Sequence, residues 1–440
     1  MSLRDKMISA GNRDRSLGMD YYITDSLGCG GIIKSCAEDF QVTELFEDLR
    51  YEGGRYLVLD VEKINWDTHH LIREMARKLR ISQKRFAWAG TKDKKAVTTQ
   101  RISIMNLDES DLSKINLPDL KIRVLGKTNR AVGMGDLLGN NFRITIRDMN
   151  CPDPAARLAT ITSEIEKYGG VANYFGIQRF GDSRPVTHKV GEALAKGRIE
   201  DAAFIFLALS FPGELERTRV AREKLWVSRD IPAALKEFPE YLRYEIAMMN
   251  YLVEHPGDYA HSFDVLSVNL KRLFVHAYQS YIFNRILSCR MAGGMALQDP
   301  TVGDVFCFAR DGSPDMDRLQ AVTPENLPAI DRLARRGRAF LTLPLIGFET
   351  KIEEGAQGEI ERSILRDEGI LPENFHVPEN PDLGSRGTRR AALCQVKPQI
   401  EIEDNLAKLQ FSLPKGSYAT VVLREYMKSL DDNKNDLAEE

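Results

Sequence analysis

The residues best suited to chemistry lie in one short segment, where the carboxylate of Asp93 is surrounded by Lys92, Lys94 and Lys95. Gly90 introduces this segment, and β-branched residues follow it. Lysines at this density favour the ionised form of a carboxylate and attract a phosphate backbone. A carboxylate that stays anionic beside a bound nucleotide can act as a nucleophile or as a base. The residues alone leave open a second interpretation, a solvent-exposed turn closed by an Asx hydrogen bond.

The net charge of the chain is −3, from 61 Lys and Arg against 64 Asp and Glu, but the charges are unevenly distributed. Residues 63–101 hold eleven basic and three acidic side chains, a local charge of +8. Residues 351–382 hold nine acidic and three basic side chains, a local charge of −6. Because a polyanion interacts with the face presented to it, this pattern permits a basic RNA-binding surface. A solvated basic helix explains the charge equally well.

Several classes of protein are excluded by patterns that the sequence lacks. The six cysteines form no C-x-x-C pair, which argues against a zinc ribbon or a disulfide framework and suits a reducing cytoplasm. His69 and His70 are adjacent and cannot both face one ion from a helix, so we predict no metal. Gly126-Lys127-Thr128 has Lys121 where a phosphate-binding loop requires glycine, so we predict no nucleotide cofactor. The longest apolar run, residues 202–211, is too short to span a membrane.

The elements on either side of Asp93 must position it. Alternation over residues 55–63 predicts a strand with Leu57, Leu59 and Val61 on one face. A helix follows, and either Asp67 or Thr68 is suited to be its N-cap. The apolar positions of this helix form one stripe, which we expect to be buried: Leu71, Ile72, Met75, Ala76 and Leu79.

Further segments complete a sheet and one more helix in the first half of the chain. Alternating residues around 122–124 and 142–146 predict strands of an antiparallel sheet with one covered face. A helix through Leu158, Ile161 and Ile165 is expected to end at Gly169-Gly170.

The rest of the sequence indicates an α+β fold with a mostly helical insertion between two sheet-rich parts. Residues 191–340 are largely helical in pattern, with 271–290 the clearest helix. Strand-like pieces return at 340–343 and 418–424. We expect three segments, with the limits 1–190, 191–340 and 341–440.

Several separated motifs, in a fixed order, resemble one known family. The segment around Asp93 reads G-T-K-D-x-x-A-x-T-x-Q over residues 90–100. The other motifs are E-D-F-x-V at 38–42, G-N-x-F at 139–142, N-Y-F-G-x-Q-R-F-G at 173–181, and L-P-x-G-S-Y-A-T followed by R-E at 413–425. Together they resemble the TruD family of tRNA pseudouridine synthases (the Pus7-like group), in particular its archaeal branch.

This resemblance implies a fold and an activity. The fold would be a discontinuous pseudouridine-synthase catalytic domain, 1–190 with 341–440, that has a mixed, mostly antiparallel sheet. A largely helical TRUD domain, 191–340, would be inserted into it. The activity would be isomerisation of a uridine in tRNA, at position 13, with Asp93 as the essential carboxylate. We expect a cytoplasmic enzyme that needs no cofactor, has tRNA as its partner, does not associate with membranes, and is a monomer.

The resemblance also implies the substrate-binding residues. An isomerised base must leave its stack, so aromatic side chains would hold it. Phe40 and Phe175 match aromatic positions of the family, and Phe411 is a third. Around them we expect polar contacts from Lys34 near the aspartate, Lys92 in the loop, Asn173 at the uracil edge or the Asp93 loop, and Gln178. For the RNA backbone we expect Lys94, Lys95 and three arginines in a glycine-containing loop: Arg386, Arg389 and Arg390.

Two alternatives from other functional classes stay open. One is a non-catalytic RNA-binding protein or tRNA folding chaperone on the same scaffold, although mere binding does not require Asp93 and the aromatic residues. The other is a different base-modifying enzyme such as a methyltransferase, against which the lack of a glycine-rich cofactor loop counts.

Overall fold

A computed structural model describes residues 7–47, 50–133, 136–310, 312–377 and 381–428. It confirms the predicted α+β class. The contacts within the chain group it into two compact units. The unit that we call the sheet unit holds the described residues of 24–171 and of 394–428. The other, which we call the helical unit, holds the described residues of 7–23 and of 172–393.

The strands and helices of the described residues are numbered in chain order. The strands are β1 (Phe40–Leu45), β2 (Tyr56–Ile64), β3 (Phe86–Trp88), β4 (Val97–Met105), β5 (Leu120–Thr128), β6 (Gly139–Ile146), β7 (Val171–Ala172), β8 (Val305–Arg310), β9 (Ser313–Ala321), β10 (Ala339–Leu345), β11 (Thr388–Ala391), β12 (Leu393–Cys394), β13 (Gln399–Glu403) and β14 (Leu406–Pro414). The helices are α1 (Asn12–Arg15), α2 (Thr68–Leu79), α3 (Pro154–Lys167), α4 (Thr187–Ala195), α5 (Ile199–Ala208), α6 (Glu216–Ser228), α7 (Ile231–Glu237), α8 (Arg243–Glu254), α9 (Tyr259–Ser262), α10 (Val268–Ala292), α11 (Leu327–Arg335), α12 (Ala356–Glu368) and α13 (Ala419–Met427). None of these helices is long and apolar enough to cross a membrane.

The sheet unit is built on a mixed sheet in the order β13-β14-β6-β1-β4-β2-β5, with β3 paired to β4. The pair β1–β4 is parallel, and the other pairs of this sheet are antiparallel. Helix α2 covers one face, and its N-cap is Asp67, whose carboxylate accepts from the amide of His70 at 2.9 Å. The predicted stripe of α2 is buried against the apolar face of β2, which confirms both patterns. The helix expected to stop at Gly169-Gly170 is α3.

One predicted element of this unit is wrong. The strand-like piece expected at 418–424 is instead the N-cap and first turns of helix α13, although Thr420, Val421 and Val422 are β-branched residues that favour strands. Residues at helical spacing, Val422 and Tyr426 among them, are buried. The hydroxyl of Tyr426 lies 3.0 Å from that of Thr162 on α3, so contacts between the two helices outweigh the local propensity.

The helical unit has its longest helix, α10, where the clearest helix was predicted. Fifteen of its 25 residues are buried, which is typical of a central helix. An antiparallel sheet in the order β11-β10-β8-β9 accompanies the helices. The hairpin β8–β9 was not predicted, since we expected residues 191–340 to be largely helical.

The limits of the two units differ from the expected segment limits. The chain passes from one unit to the other at residues 23/24, 171/172 and 393/394, whereas we expected changes at 190/191 and 340/341. The assignment of a catalytic domain and an inserted domain to parts of this chain stays a prediction. Residues 429–440, the end of the last expected segment, lie outside the described residues.

Candidate active site

The loop between β3 and β4 carries Asp93 in the sheet unit. The carboxylate forms an ion pair with the ammonium of Lys34, and the Asp93 side chain is still 42% exposed. The same ammonium lies 4.2 Å from the ring centroid of Phe40. Lys34 itself has φ +58°, a left-handed backbone conformation that lysine rarely adopts. The structure therefore brings Asp93 together with Lys34 and Phe40, two predicted site residues from a much earlier part of the sequence.

A fourth residue, Lys63, contacts this loop and was not predicted. Its buried ammonium donates to the main-chain oxygen of Asp93 at 3.0 Å and to that of Trp66 at 2.5 Å. Burial lowers the pKa of Lys63 to about 8, against the opposing influence of Asp67 and Asp93. The sequence held a signal, because Lys63 follows Val61 on the buried face of β2, where an apolar residue is expected.

Lys92 points into the protein, away from the loop surface. Its ammonium pairs with the carboxylate of Glu44, and the two side chains are 8% and 1% exposed. The main-chain N–H of Lys92 donates to the hydroxyl of Thr68 at 3.1 Å. Glu44 also accepts from the amide of Arg101 at 2.8 Å. The pair therefore anchors the loop to β1 and β4, and the predicted substrate contact of Lys92 stays a prediction.

Lys94 and Lys95, the other lysines of the loop, are exposed. Ala96, which follows them, is buried, and its amide donates to the main-chain oxygen of Lys94 at 3.0 Å. Of the three loop lysines, these two have the exposure that contact with a phosphate backbone requires. Their predicted role in RNA binding stays a prediction.

Three phenylalanines lie side by side on neighbouring strands of the sheet unit. Phe40 on β1 and Phe142 on β6 make an edge-on contact with ring centroids 6.3 Å apart. Phe142 and Phe411 on β14 are stacked at 5.6 Å. All three are at least nine-tenths buried. Phe142 was predicted on the covered face of its strand and not as a site residue, so the aromatic row that joins Phe40 to Phe411 is visible only in the sheet register.

In the helical unit, Asn173, Phe175 and Arg390 form one contact group. The guanidinium of Arg390 donates to the main-chain oxygen of Asn173 at 3.0 Å and to its side-chain oxygen at 2.6 Å. It also lies 4.1 Å from the ring centroid of Phe175. Asn284 on α10 makes two hydrogen bonds to the backbone of Phe175. Its side-chain oxygen accepts from the main-chain N–H of Phe175 at 2.8 Å, and its side-chain nitrogen donates to the main-chain oxygen of Phe175 at 3.0 Å. Arg390, which was predicted to bind the RNA backbone, thus contacts Asn173 and Phe175, which were predicted to bind the substrate.

The predicted arginine loop needs correction. Arg389 and Arg390 lie in strand β11, which pairs with β10, and only Arg386 precedes that strand. Arg389 is directed inward, and its guanidinium donates to the hydroxyl and main-chain oxygens of Thr342 at 2.8 and 2.9 Å. Burial lowers the pKa of Arg389 from its ordinary value. Arg386 is exposed and lies 3.7 Å from Glu349.

Gln178, the remaining predicted site residue, lies in a short 3₁₀ helix, Ile177–Arg179, where its side chain is exposed. The neighbouring Arg179 donates to the hydroxyl of Ser280 at 3.1 Å. In the part of the chain that the structure describes, no group of three or more His, Cys, Asp or Glu side chains could hold a metal ion.

Comparison with known proteins identifies the class. The chain belongs among the pseudouridine synthases, which are isomerases, because the family description "tRNA pseudouridine synthase D (TruD)" matches residues 16–426. It is a member of that TruD family, as the sequence motifs indicated. Curated relatives named "Probable tRNA pseudouridine synthase D" include one from Methanococcoides burtonii, 44% identical over 95% of this chain and 97% of its own. Another, from Methanosarcina mazei, is 47% identical over 94% of this chain and 97% of its own.

A solved structure confirms the fold. The crystal structure of a Methanosarcina mazei chain described as tRNA pseudouridine synthase D (TruD) has a TM-score of 0.82 to this chain. The two sequences are 46% identical, and the match covers 94% of this chain and 97% of the other. The similarity therefore extends over both units and includes the Asp93 loop within the matched family range.

Proposed function

We propose that this chain isomerises a uridine of tRNA to pseudouridine, with Asp93 as the catalytic carboxylate. The observation that carries the proposal is the setting of Asp93. It is a partly exposed carboxylate, ion-paired with Lys34 beside the ring of Phe40, in a loop with two exposed lysines. The names of the relatives support tRNA as the substrate. A tRNA substrate also supports the expected cytoplasmic location.

The chemistry of this isomerisation balances without a cofactor. The N1–C1′ bond of the uridine breaks, the uracil turns, and a new bond joins C5 to C1′. The proton at C5 leaves and N1 gains one, so there is no net oxidation and no group is transferred. Asp93 would either add to C1′ or remove the proton at C2′, and both steps need a carboxylate within reach of the sugar. Lys34 would orient that carboxylate through the ion pair.

Aromatic residues would hold the target base after it leaves its stack. In the sheet unit, Phe40 and Phe411 belong to the same row of rings, and Phe40 lies next to the ion pair of Asp93. In the helical unit, Phe175 and Asn173 are fixed by Arg390. An apolar ring face is the surface on which a flipped uracil stacks. For Asn173 and Phe175, the proposed contact with the base is carried by the resemblance to the TruD family.

A tritium-release assay tests the reaction. Purified protein would be incubated, without cofactors, with tRNA that carries tritium at C5 of its uridines, since that atom is lost when C5 joins C1′. We expect release by the wild type and at least about a 1000-fold lower rate for Asp93→Asn, as for loss of an essential catalytic group. Asp108→Asn is the matched control, because Asp108 is an exposed carboxylate paired with Lys127 at 3.1 Å in the same unit.

The same assay separates the alternatives. A binding protein or folding chaperone would bind the tRNA and release no tritium. A methyltransferase acting at C5 would release tritium only when S-adenosylmethionine is added. Release by Asp93→Asn at the wild-type rate would contradict the catalytic role of this residue while leaving the reaction in place.

We propose uridine 13 as the target, on the resemblance to the TruD family. A tRNA transcript with cytidine at position 13 tests it against the unmodified transcript. We expect the substitution to abolish tritium release and to leave binding within about twofold, because the phosphate contacts that dominate affinity are unchanged. Continued release would place the target at another uridine.

A further inference from the structure

We propose that Lys63 is a positioning residue for the catalytic loop. Its ammonium would fix the main-chain oxygen of Asp93, so that the carboxylate of Asp93 keeps its ion pair with Lys34. This inference rests on the proposed function and deepens it. It assigns a mechanistic role to a residue outside all of the sequence motifs given above.

The position of Lys63 in β2 is one where an apolar residue would be expected. The residue is fully buried and follows Leu57, Leu59 and Val61 on the covered face of the strand. A buried ammonium is unfavourable unless hydrogen bonds compensate the lost hydration. Methionine or leucine would fill the site without that penalty, so packing alone gives no reason for a lysine.

The two hydrogen bonds of Lys63 connect two separate segments. One goes to the main-chain oxygen of Trp66, just before α2 begins, and the other to that of Asp93. The loop has no helix or strand of its own between β3 and β4 to fix Asp93. Other contacts fix the neighbours of Asp93 in the loop. Lys92 pairs with Glu44 and donates its main-chain N–H to the hydroxyl of Thr68. The main-chain oxygen of Ala96 accepts from the amide of Asn65. Lys63 supplies the contact at Asp93 itself.

The charges around Lys63 suit this role. The carboxylates of Asp67 and Asp93 favour its protonated form, whereas burial and the nearby Lys92 oppose it. The net result is a pKa of about 8, so the ammonium is mostly protonated at pH 7. A protonated amine keeps three donors, and both carbonyl bonds are then charge-assisted.

The chain offers a matched control for the ammonium. Lys428, in the same unit, is also buried, and its pKa is also lowered to about 8 by burial. Its ammonium donates to the main-chain oxygen of Thr24 at 2.8 Å and to that of Ser26. Lys428→Met therefore removes the same kind of group, in the same kind of setting, without touching the Asp93 loop.

The test compares Lys63→Met with Lys428→Met by single-turnover tritium release, with enzyme in excess over tRNA. At saturating enzyme, the rate constant of such an experiment does not depend on the folded fraction. We expect Lys63→Met to lower it about 10- to 100-fold, since small misplacements of a catalytic group have effects of this size. The concentration of enzyme at half-maximal rate should stay within about twofold, and Lys428→Met should keep the wild-type rate constant.

Hydrogen exchange of the segment 90–97 gives a second readout that does not need activity. Exchange there should be faster in Lys63→Met and unchanged in Lys428→Met. If Lys63→Met does not yield folded protein, Lys63→Gln replaces it, and its amide should retain one carbonyl contact and give an intermediate rate constant.

The outcomes separate the two proposals. An active wild type with equal rate constants for the two methionine variants would overturn the role of Lys63 and leave the proposed function intact. Unchanged exchange of the loop in Lys63→Met would overturn it as well. A wild type that releases no tritium from tRNA would overturn the proposed function and, with it, this inference.

Discussion

Replacement of Lys92 by methionine is expected to destabilise the sheet unit, although Lys92 lies in a loop full of lysines. In the structure its ammonium is paired with Glu44 in the interior. Removal of the ammonium leaves the carboxylate of Glu44 buried without its partner. The change therefore tests whether Lys92 acts inside the protein or at its surface.

The magnitude follows from the burial of the pair. The side chains are 8% and 1% exposed, so solvent screens their interaction little. Loss of one partner from a buried ion pair costs about 3–5 kcal/mol of unfolding free energy. Glu44 keeps the hydrogen bond from the amide of Arg101 at 2.8 Å, which favours the lower end, about 3 kcal/mol. The double variant Lys92→Met/Glu44→Gln removes the charge and keeps that acceptor, so it should recover most of the loss.

The assay is urea unfolding of the four members of this double-mutant cycle, followed by tryptophan fluorescence. Lys94→Met is the control, because this exposed neighbour should change the unfolding free energy by no more than about 0.5 kcal/mol. A Lys92→Met variant as stable as the Lys94→Met control would refute the reasoning. So would a double variant that is no more stable than Lys92→Met.

Three further predictions follow from other parts of the molecule. Lys94→Glu or Lys95→Glu should weaken tRNA binding and make the plot of log affinity against log salt less steep by about 0.9 per duplex-like contact; an unchanged slope would show that neither residue contacts the backbone. Burial lowers the pKa of His188 to about 3, so only the unfolded chain gains a proton there below its ordinary pKa of 6.5. From pH 7 to pH 5 the wild type should lose about 2 kcal/mol of unfolding free energy that His188→Phe does not lose, and parallel stability curves would contradict this. Gly139→Ala would place a Cβ 2.2 Å from the main-chain oxygen of Leu413 on the adjacent strand. It should lower the unfolding free energy, measured by urea titration, by about 1–3 kcal/mol. An unchanged unfolding free energy would show that the two strands can move apart at this position without cost.

Local patterns predicted the elements whose burial follows their own periodicity. The stripe of α2 and the apolar face of β2 pack on each other, so the sequence alone sufficed for both. Helix α13 was wrongly predicted as a strand because β-branched residues favour strands, whereas its contact with α3 involves residues more than 250 positions away in the sequence. The hairpin β8–β9 was missed for a similar reason, because β8 also pairs with β10, which is distant from it in the sequence.

The same distinction applies to the candidate site. Phe40 and Asp93 could be named from motifs, and so could Lys34, because the resemblance supplied their positions. Phe142 could not be named, because its place beside Phe40 and Phe411 depends on the register of three strands. Arg389 and Arg390 were predicted in a loop, and pairing of β11 with β10 instead directs Arg389 to Thr342.

The sequence by itself determined the α+β class, the family, and the loop in which Asp93 lies. Only the tertiary structure decided which of the lysines around Asp93 are buried with a partner and which are exposed to solvent. Lys34 and Asp93 are 59 residues apart, and Lys92 and Glu44 are 48 apart, so no local pattern could pair them. Whether an ammonium is buried or exposed depends on those distant partners, because a buried charge is stable only with acceptors in reach. Lys92 and Lys63 therefore face the interior while Lys94 and Lys95 face solvent, in a segment where the sequence shows only a run of positive charge.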